Sequence, residues 1–473
     1  MATKRELVDA YQFSRRRLVT AFLSGAPGGR EVEPARPGRT IVGGVALAVL
    51  LCAGAGVAGF LGGRPDAGWT EAGSFVISKD TGEQYVVLRD APESTDGEDA
   101  ENTVIQRIPN FISAQLLLGT PEPQVFTVRD SHIRTLTLGA DLGIEGAPAG
   151  LPPAEELIGT GWSACTAADL GVKVHLSPTP DVQAAPEGGF VVRSEAGEAW
   201  LVAASPDGPA YRFALPRGQT AQSTLLDALG FGARDTVPVV SQQWLNLFPL
   251  GPALTLTGFG VTGAGQPADY PGLRTDLTGF VVGDLVQTPD GSRYLLAQDA
   301  PQRLEEFPAA LYEALATSAR PLSSDLVADF AAPSHPEEWP AAAPTPITGE
   351  LCALLQQRDS VSHVVPATEP GADASAQALR PGSHDVDVEP SGGAYVLAGA
   401  DAATAGGSPY VIDAKGAKYP LVGPDVAQFI GYGDVDPPVV PDAWLGWFSD
   451  GVVLSVNAAR RVPEDADDPK DGS

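Results

Sequence analysis

The sequence predicts a single N-terminal transmembrane helix followed by an elongated α+β ectodomain, in which four small β-rich repeats surround a central domain. Two observations predict this fold class. An uninterrupted apolar run at residues 41–63 separates a basic N-terminal segment from the acidic remainder of the 473-residue chain. Beyond that run, a glycine followed by an apolar, β-type stretch occurs four times, which indicates an internal repeat.

The N-terminal residues 4–24 are predicted to form an amphipathic helix, followed by a Gly- and Pro-rich loop. Apolar side chains recur at helical spacing, namely Leu7, Tyr11, Leu18 and Phe22. The same helix carries a basic cluster, Arg15, Arg16 and Arg17. Two interpretations stay open: a helix that lies on anionic lipid headgroups, and a helix that docks a cytoplasmic partner domain. Docking would use Tyr11, Phe13, Arg15, Arg16, Arg17 and Phe22.

The apolar run at residues 41–63 contains no charged side chain over its 23 positions. At about 1.5 Å per residue, it is long enough to cross a hydrocarbon core of about 30 Å. A cleaved signal peptide, with Ala53-Gly54-Ala55 as its cleavage site, is the competing interpretation, but the apolar core of such a peptide is shorter, at about 7–15 residues. We therefore expect one transmembrane helix.

The charges that flank the span predict its orientation. Eight Lys and Arg residues precede it, whereas Arg64 is the one basic residue just after it. Because Lys and Arg are retained on the cytoplasmic side, we expect a single-pass protein of the cell (inner) membrane with a cytoplasmic N-terminus and a large extracytoplasmic domain. Residues 1–40 carry a net charge of +4 and the remainder −33, which argues against binding of nucleic acid.

Cysteine usage is sparse. Cys52 lies inside the predicted span, and Cys165 and Cys352 are the two cysteines of the ectodomain. An even pair in an oxidising compartment usually forms a disulfide, and two buried thiols are the alternative. Two lone cysteines without histidines at matching spacing argue against a metal site.

Each ectodomain repeat is predicted to begin with a β-hairpin. The first strands follow glycines, at residues 73–77, 188–192, 279–282 and 392–396, and the second strands each contain an aromatic residue, at 85–88, 200–202, 294–296 and 410–412. A short helical segment follows, at residues 109–119, 225–232, 304–317 and 426–433. Two repeats then share a closing motif, Pro-Val-Val-x-x-x-Trp-Leu, at residues 238–245 and 438–445.

The segments between repeats suggest a divided central domain, and Ala- and Pro-rich stretches at 331–345 and 366–384 suggest linkers. The predicted boundaries are 1–40 for the cytoplasmic segment, 41–63 for the span, 64–125 for repeat 1, 126–185 for the first part of the central domain, 186–255 for repeat 2, 256–330 for repeat 3 with a connection to the central domain, 331–390 for a linker and the second part of the central domain, 391–460 for repeat 4 and 461–473 for a disordered acidic tail.

At this point the chain resembles the EccB family of type VII (ESX-type) secretion systems. The resemblance rests on a Tyr-x-Phe-x-x-Arg-Arg-x-x-x-Ala pattern at residues 11–21, ahead of one span. It rests also on residues 110–119, which are close to the family's Asn-Leu-x-Ser-Ala-Arg-Leu signature, with Gln115 where the family often has Arg. Four repeats around a central domain with two cysteines complete the resemblance.

The resemblance implies a structural core subunit of the membrane complex that exports small helical proteins. It implies a homo-dimer or higher oligomer, and as partners an EccC-type motor ATPase, an EccD-type channel subunit and in some systems EccE and a mycosin protease. It implies that the N-terminal helix contacts cytoplasmic parts of these partners. It also implies that Cys165 and Cys352 form the disulfide of the central domain.

Some members of this family are labelled as ATPases, but the sequence offers no catalytic site, and we expect no cofactor. The chain contains no Gly-Lys-Ser or Gly-Lys-Thr for a P-loop, no Gly-x-Ser-x-Gly elbow and no His-Glu-x-x-His motif. Three function classes remain: the secretion subunit, a membrane-tethered cell-wall-binding module and an ATP hydrolase. Trp244 and Trp444 could stack on wall sugars, but their place in a repeated motif favours a role in the core of each repeat.

Overall fold

The computed structural model describes residues 3–24, 68–88, 103–166, 171–206, 208–232, 237–327, 330, 335–358, 361–369, 379–400 and 406–463. The chain divides into two compact units, Met1–Asp66 and Ala67–Ser473. In the first unit the described residues form one helix, α1 (Lys4–Ser24). The predicted transmembrane run at 41–63 and most of the acidic tail lie outside the described residues.

The described part of the second unit is rich in β-structure and forms five sheets. Its strands are β1 (Ser74–Ser78), β2 (Gln84–Val87), β3 (Val104–Ile108), β4 (Gln124–Val128), β5 (Thr137–Leu138), β6 (Trp162–Thr166), β7 (Val172–Leu176), β8 (Gln183–Ala184), β9 (Gly188–Ser194), β10 (Ala199–Ala204), β11 (Ala210–Ala214), β12 (Val239–Val240), β13 (Leu285–Gln287), β14 (Arg293–Leu296), β15 (Pro301–Leu304), β16 (Arg320–Pro321), β17 (Thr345–Pro346), β18 (Leu351–Arg358), β19 (Val361–Thr368), β20 (His384–Val388), β21 (Ala394–Gly399), β22 (Ser408–Ile412), β23 (Ala417–Pro420), β24 (Val439–Pro441) and β25 (Ser449–Asp450).

Short helices connect these strands. They are α2 (Phe111–Leu118), α3 (Asp130–Ile133), α4 (Gln219–Ala228), α5 (Gln242–Leu245), α6 (Glu306–Leu315), α7 (Val426–Phe429), α8 (Asp442–Leu445) and α9 (Val456–Ala459), with 3-10 turns at Ala154–Glu156 and Leu256–Phe259. Helix α2 shows how the sequence sets such boundaries. The Asn110 side chain accepts a hydrogen bond from the Ser113 backbone N–H, and Gly119 ends the helix at φ 66°.

Four of the sheets share one topology. Three strands form an antiparallel meander, a helix follows, and the chain then returns to place another strand parallel to the first. The third strand of each meander, which is β3, β11, β15 or β23, was not predicted from the sequence. Each is short and mixes polar with apolar residues, so it carries a weak strand signal, and pairing with the second strand stabilises it.

The first strand of repeat 3 differs from its prediction. The stretch predicted as a strand at residues 279–282 forms only an isolated antiparallel bridge, between Val281 and Pro267, and the first strand of the sheet is β13. The Asp284 carboxylate accepts a hydrogen bond from the Val281 backbone N–H, and Arg320 pairs with the same carboxylate at 2.8 Å. This local side-chain bonding competes with strand pairing and moves the start of the sheet beyond Gly283.

The fifth sheet is central and draws on two distant parts of the chain. Its strand order is β20-β7-β6-β18-β19-β8, so that three strands between residues 162 and 184 and three between 351 and 388 are interleaved. Strands β6 and β18 lie side by side, antiparallel, at its middle. One face of the sheet contributes Trp162, Val174 and Ala353 to the largest hydrophobic core.

Several predicted boundaries need correction. Repeat 1 does not end at residue 125, because β4 and β5 extend its sheet to Leu138. The stretch 331–345 is not a linker where the structure describes it, since Trp339 is 1% exposed and packs against Phe259. The stretch 366–384 likewise begins inside β19 and ends inside β20.

The Pro-Val-Val-x-x-x-Trp-Leu motif of repeats 2 and 4 forms the returning strand and one helical turn. The tryptophans of both motifs, Trp244 and Trp444, are fully buried and belong with Trp162 to one core on the central sheet. The Trp244 indole N–H donates to the Ala164 carbonyl of β6 at 2.9 Å. The Trp444 indole N–H has no partner among the described residues. These tryptophans are core residues, as the repeated motif predicts.

The outer repeats pack on the inner ones in the same way. Helix α2 of repeat 1 contributes Ile112 and Leu116 to a core shared with repeat 4. Helix α6 of repeat 3 contributes Phe307 and Leu311 to a core shared with repeat 2. Repeats 1 and 4 therefore form one pair and repeats 2 and 3 another, and the inner member of each pair contacts the central sheet.

In both inner repeats, a basic side chain at an equivalent position donates a hydrogen bond to the closing helical turn. Arg212 on β11 donates to the Leu245 carbonyl at 2.8 Å, and Lys418 on β23 donates to the Leu445 carbonyl at 2.9 Å. Both carbonyls lie at the end of a helical turn, where backbone oxygens lack helical partners. Lys418 also pairs with Asp450 at 2.9 Å.

The hydrogen-bond difference between the two tryptophans predicts unequal effects of substitution. Trp244→Phe and Trp444→Phe each leave a cavity and should lower the free energy of unfolding by about 1–2 kcal/mol. Trp244→Phe also removes a hydrogen bond to Ala164, which adds about 1 kcal/mol. Urea unfolding of both variants measures the difference, and equal losses would contradict this account.

Candidate functional site

The exposed face of α1 is the first candidate site. Leu7, Tyr11, Leu18 and Phe22 are between 66% and 92% exposed. At about 100° per residue, they fall within an arc of about 60° on the helix. A stripe of large apolar side chains left in solvent is typical of a surface that binds another protein or a lipid interface.

The six residues predicted for docking all lie on α1 and are all exposed. The helix brings only some of them together. Tyr11 and Phe22 belong to the apolar stripe, and Arg15 projects from its edge, whereas Phe13 lies on the opposite side at helical spacing. The residues that share a face are therefore a subset of the predicted set.

The predicted transmembrane helix at residues 41–63 lies outside the described residues. Among the helices that the structure does describe, none combines the length and the apolar character needed to cross a membrane.

The central sheet carries the second candidate site. Cys165 of β6 and Cys352 of β18 are direct cross-strand partners, and a disulfide joins them with a Cα–Cα distance of 4.1 Å. The bond lies on the face opposite Trp162, among Leu354, Val365 and Ala367. Cys352 is fully buried and Cys165 is half-buried. The disulfide links two segments of the sheet that are 187 residues apart in the sequence.

A pair of carboxyl groups lies beside the disulfide. The register that pairs Cys352 with Ala367 also places Glu350 opposite Glu369, two residues further along on the same face. A hydrogen bond with Glu350, burial and repulsion from Glu350 raise the pKa of Glu369 to about 7, while Lys173 acts against them and Asp181 adds a weaker repulsion. Two facing carboxylates cannot both ionise without repulsion, so the pair holds a proton at mildly acidic pH.

The sequence did not predict this carboxyl pair. Glu350 and Glu369 stand 19 positions apart and carry no motif. Their proximity depends on the hairpin of β18 and β19, whose register follows from packing of the sheet rather than from a local signal. Both strands are near-continuous buried runs, so no alternation of apolar and polar residues in the sequence marks the face on which the two glutamates lie.

The histidines do not assemble a reactive centre in the described residues. His175 lies 3.8 Å from Asp387, His335 stacks on Trp339, and His384 contacts the edge of Trp447. In that part of the chain, no three His, Cys, Asp or Glu side chains are grouped so as to hold a metal ion.

A family match covers almost the whole chain. The family model described as "Type VII secretion system ESX-1, transport TM domain B" matches residues 1–466. The chain is 25% identical over 301 residues to the ESX-5 secretion system ATPase EccB5 of Mycobacterium tuberculosis, in strains CDC 1551 / Oshkosh and H37Rv. That match covers 60% of this chain and 54% of the relative, so the chain spans about half the length of the curated relatives it matches.

Solved structures of similar fold come from ESX inner membrane complexes. A chain of an intact ESX-5 inner membrane complex superposes with a TM-score of 0.61 at 21% identity, covering 100% of this chain and 97% of that chain. The EccB3 dimer from the ESX-3 core complex gives 0.58 at 20% identity, covering 82% and 100%. At these identities the likeness shows a shared fold.

The position of the disulfide predicts a stability loss on its removal. Cys165→Ser should lower the free energy of unfolding of the second unit by about 2–5 kcal/mol, because it frees a long loop in the unfolded chain. Cys52→Ser, which changes the cysteine outside the pair, is the matched control and should have no effect. Thermal unfolding with and without a reductant measures both, and an unchanged melting temperature for Cys165→Ser would count against the disulfide.

The carboxyl pair predicts that stability falls as pH rises. The folded-state pKa of Glu369 is above its ordinary value of 4.5, so the folded protein binds more protons than the unfolded chain between pH 4.5 and about 7. This stabilisation is complete below pH 4.5 and is lost as pH rises through 7. The melting temperature should therefore fall between pH 5 and 8 more steeply in the native protein than in Glu369→Gln, and parallel curves would disprove the shared proton.

Proposed function

Because the chain belongs to the EccB family of type VII secretion systems, we propose that it is a structural core subunit of a type VII secretion membrane complex that supports export of small helical proteins. The observation that carries this proposal is the family match over residues 1–466, which includes both α1 and the five-sheet unit. The fold shared with chains of ESX inner membrane complexes supports it.

The proposed topology is a single span at residues 41–63 with α1 in the cytoplasm and the large acidic unit outside. The excess of Lys and Arg before the span supports this orientation. Such a chain couples the two sides of the membrane mechanically, without catalysing a reaction. Its span packs beside other helices, while α1 and the outer unit contact different partners.

The proposed partners are an EccC-type motor ATPase, an EccD-type channel subunit, and in some systems EccE and a mycosin protease, together with further copies of this chain. The relative solved as a dimer supports self-association. The apolar stripe of α1 supports docking to a cytoplasmic partner, because its four large side chains would otherwise stay in water.

ATP hydrolysis is the competing function, since the curated relatives are named as ATPases. A nucleotide site needs backbone N–H groups and cations around the phosphates, and the chain has no Gly-Lys-Ser or Gly-Lys-Thr to supply them. Phosphate release by the purified chain, freed of the motor ATPase by a second affinity step, would favour hydrolysis over a structural role.

A cell-wall-binding module is the other alternative, and it needs exposed aromatic residues on the repeats. Trp244 and Trp444, which motivated it, are buried in the core on the central sheet. Sedimentation of the purified protein with isolated peptidoglycan tests this alternative directly.

The first test of the proposed function is a native gel of the tagged, detergent-solubilised protein from its own cell, with mass spectrometry of the co-migrating band. A large species that contains a motor ATPase and a channel subunit with many spans is the expected result. A monomer or dimer that persists after crosslinking in intact cells would overturn the proposal.

Substitutions on α1 should distinguish how much each of its two faces contributes to assembly of the complex. Leu18→Ser, in the apolar stripe, should reduce the share of the chain found in the large complex several-fold, because it removes about 1–2 kcal/mol of apolar contact. Phe13→Ser, on the opposite side, is the matched control and should reduce it less. Equal effects of the two substitutions would contradict docking through the stripe.

A charge-preserving change separates partner docking from lipid binding. Arg15→Lys keeps the charge that attracts anionic lipid but loses the planar, bidentate donor geometry of arginine. Docking to a protein carboxylate predicts weaker assembly of Arg15→Lys on the native gel. Assembly that is unchanged in Arg15→Lys but reduced in Arg15→Glu would instead indicate a lipid surface.

A further inference from the structure

Strand β4 of repeat 1 lies at an open edge of its sheet. In the order β4-β1-β2-β3-β5 it has a neighbour on one side, where it pairs in parallel with β1. The Lys79 backbone N–H donates to the Val128 carbonyl at 2.8 Å, so this carbonyl faces the sheet. Because successive residues of a strand direct their backbone groups to opposite sides, the N–H and C=O groups of Val125 and Thr127 point away from β1.

These outward backbone groups lie in an exposed part of the chain. Val125 is 54% exposed, and Gln124 and Thr127 are exposed as well. Within the ranges that the structure describes, no backbone hydrogen bond engages Val125 or Thr127 on the outer side of β4. That side therefore presents a row of donors and acceptors with which a further strand can pair.

Edge strands of proteins normally carry features that prevent such pairing, namely short length, charged side chains or proline. In the described part of the chain, the other edge strands of at least four residues each carry one. Strand β11 contains Arg212, β15 contains Pro301 and Arg303, and β20 contains Asp385 and Asp387. Each of the remaining edge strands has two or three residues.

Strand β4 has none of these protective features. Its sequence, Gln-Val-Phe-Thr-Val, is five residues long, uncharged and free of proline, and it consists mainly of β-branched and aromatic residues that favour strands. Its equivalents in the other three repeats, β12, β16 and β24, have only two or three residues. The long, unprotected edge is therefore particular to repeat 1, and an edge of this kind is where proteins accept an added strand.

The chemistry of this edge specifies its occupant. Alternating N–H and C=O groups are matched by the backbone of an extended polypeptide, and antiparallel pairing is the more stable arrangement. An added strand would lie beside Val125 on one face of the sheet and beside Phe126 on the other, which favours β-branched or apolar side chains at its centre. The chain beyond residue 40 carries a net charge of −33, and Glu122 is exposed just before β4, so basic ends are attracted and a second copy of this acidic unit is repelled.

We propose that the outer edge of β4 binds an extended segment of a partner polypeptide, which adds to the sheet of repeat 1 as an antiparallel strand. The segment is β-branched or apolar at its centre and basic at its ends, and its backbone forms hydrogen bonds with Val125 and Thr127. This site depends on the edge of repeat 1 alone, so it can be tested separately from assembly of a secretion complex.

The test is a titration of the full-length protein, in nanodiscs of zwitterionic lipid, with acetyl-Lys-Thr-Val-Thr-Val-Thr-Lys-amide that carries a dye for fluorescence anisotropy. We expect saturable binding below a few millimolar, with empty nanodiscs as the blank. The same peptide with N-methyl groups on its central residues cannot donate backbone hydrogen bonds and should bind at least about tenfold more weakly. Glutamate in place of both lysines should weaken binding several-fold.

These peptides separate the parts of the proposal. Absence of saturable binding, or equal affinity of the N-methylated peptide, would overturn the addition of a strand. Equal affinity of the glutamate peptide would overturn a partner with basic ends.

Variants on β4 locate the binding. Thr127→Pro removes an outward N–H and no bond to β1, a position at which an edge strand accepts proline, and it should weaken peptide binding about tenfold. Thr127→Val keeps the N–H and is the matched control, with no change expected. If Thr127→Pro fails to fold, Val125→Lys places a charge on the exposed edge and should weaken binding several-fold. Its control is Val327→Lys, at a valine of repeat 3 that is 64% exposed, which should have no effect.

Unchanged binding in a folded Thr127→Pro or in Val125→Lys would overturn the site. Sedimentation of the full-length chain over a range of concentrations tests whether a second copy is the occupant instead. Loss of self-association in Thr127→Pro but not in Thr127→Val would show that the edge pairs two copies of this chain, which would overturn a partner of different sequence.

Discussion

The architecture depends on burying two repeated tryptophans against one sheet. Trp244 and Trp444 each close a small repeat with a five-stranded sheet, and the apolar face of such a sheet must be covered by another element. Trp444 packs edge-on against Trp162, and Trp244 donates a hydrogen bond to Ala164 on the same strand, so a single core extends across repeat 2, the central sheet and repeat 4. The strands at the middle of that sheet come from distant segments, so the core closes only when both segments are in place.

The same constraint explains why the repeats occur in pairs. Helix α2 of repeat 1 packs on the sheet of repeat 4, and helix α6 of repeat 3 packs on the sheet of repeat 2. Each inner repeat is therefore covered on the side away from the central core. Because the same framework packs the sheets of both inner repeats, individual residues within it can differ between the two repeats. The equivalent positions Tyr395 and Val191 show such a difference, since one repeat places a stacked tyrosine ring there and the other a valine.

The chemistry of the molecule lies outside this shared core. On the far face of the central sheet, the Cys165–Cys352 disulfide and the Glu350–Glu369 pair lie at the end where two distant segments meet. Both groups act on the stability of the central sheet, the disulfide by joining two distant strands and the carboxyl pair through its shared proton. Helix α1, in a separate unit, presents its apolar stripe to solvent.

The sequence by itself determined the features that local chemistry controls. Turn glycines and the repeated Trp244 and Trp444 motif predicted hairpins in the repeats and the cores of the inner repeats, because each acts within a few residues. Only the tertiary structure decided which segments pair. The third strands and the contact of Glu350 with Glu369 depend on register and on packing between segments far apart in the chain, and no local pattern encodes such distances.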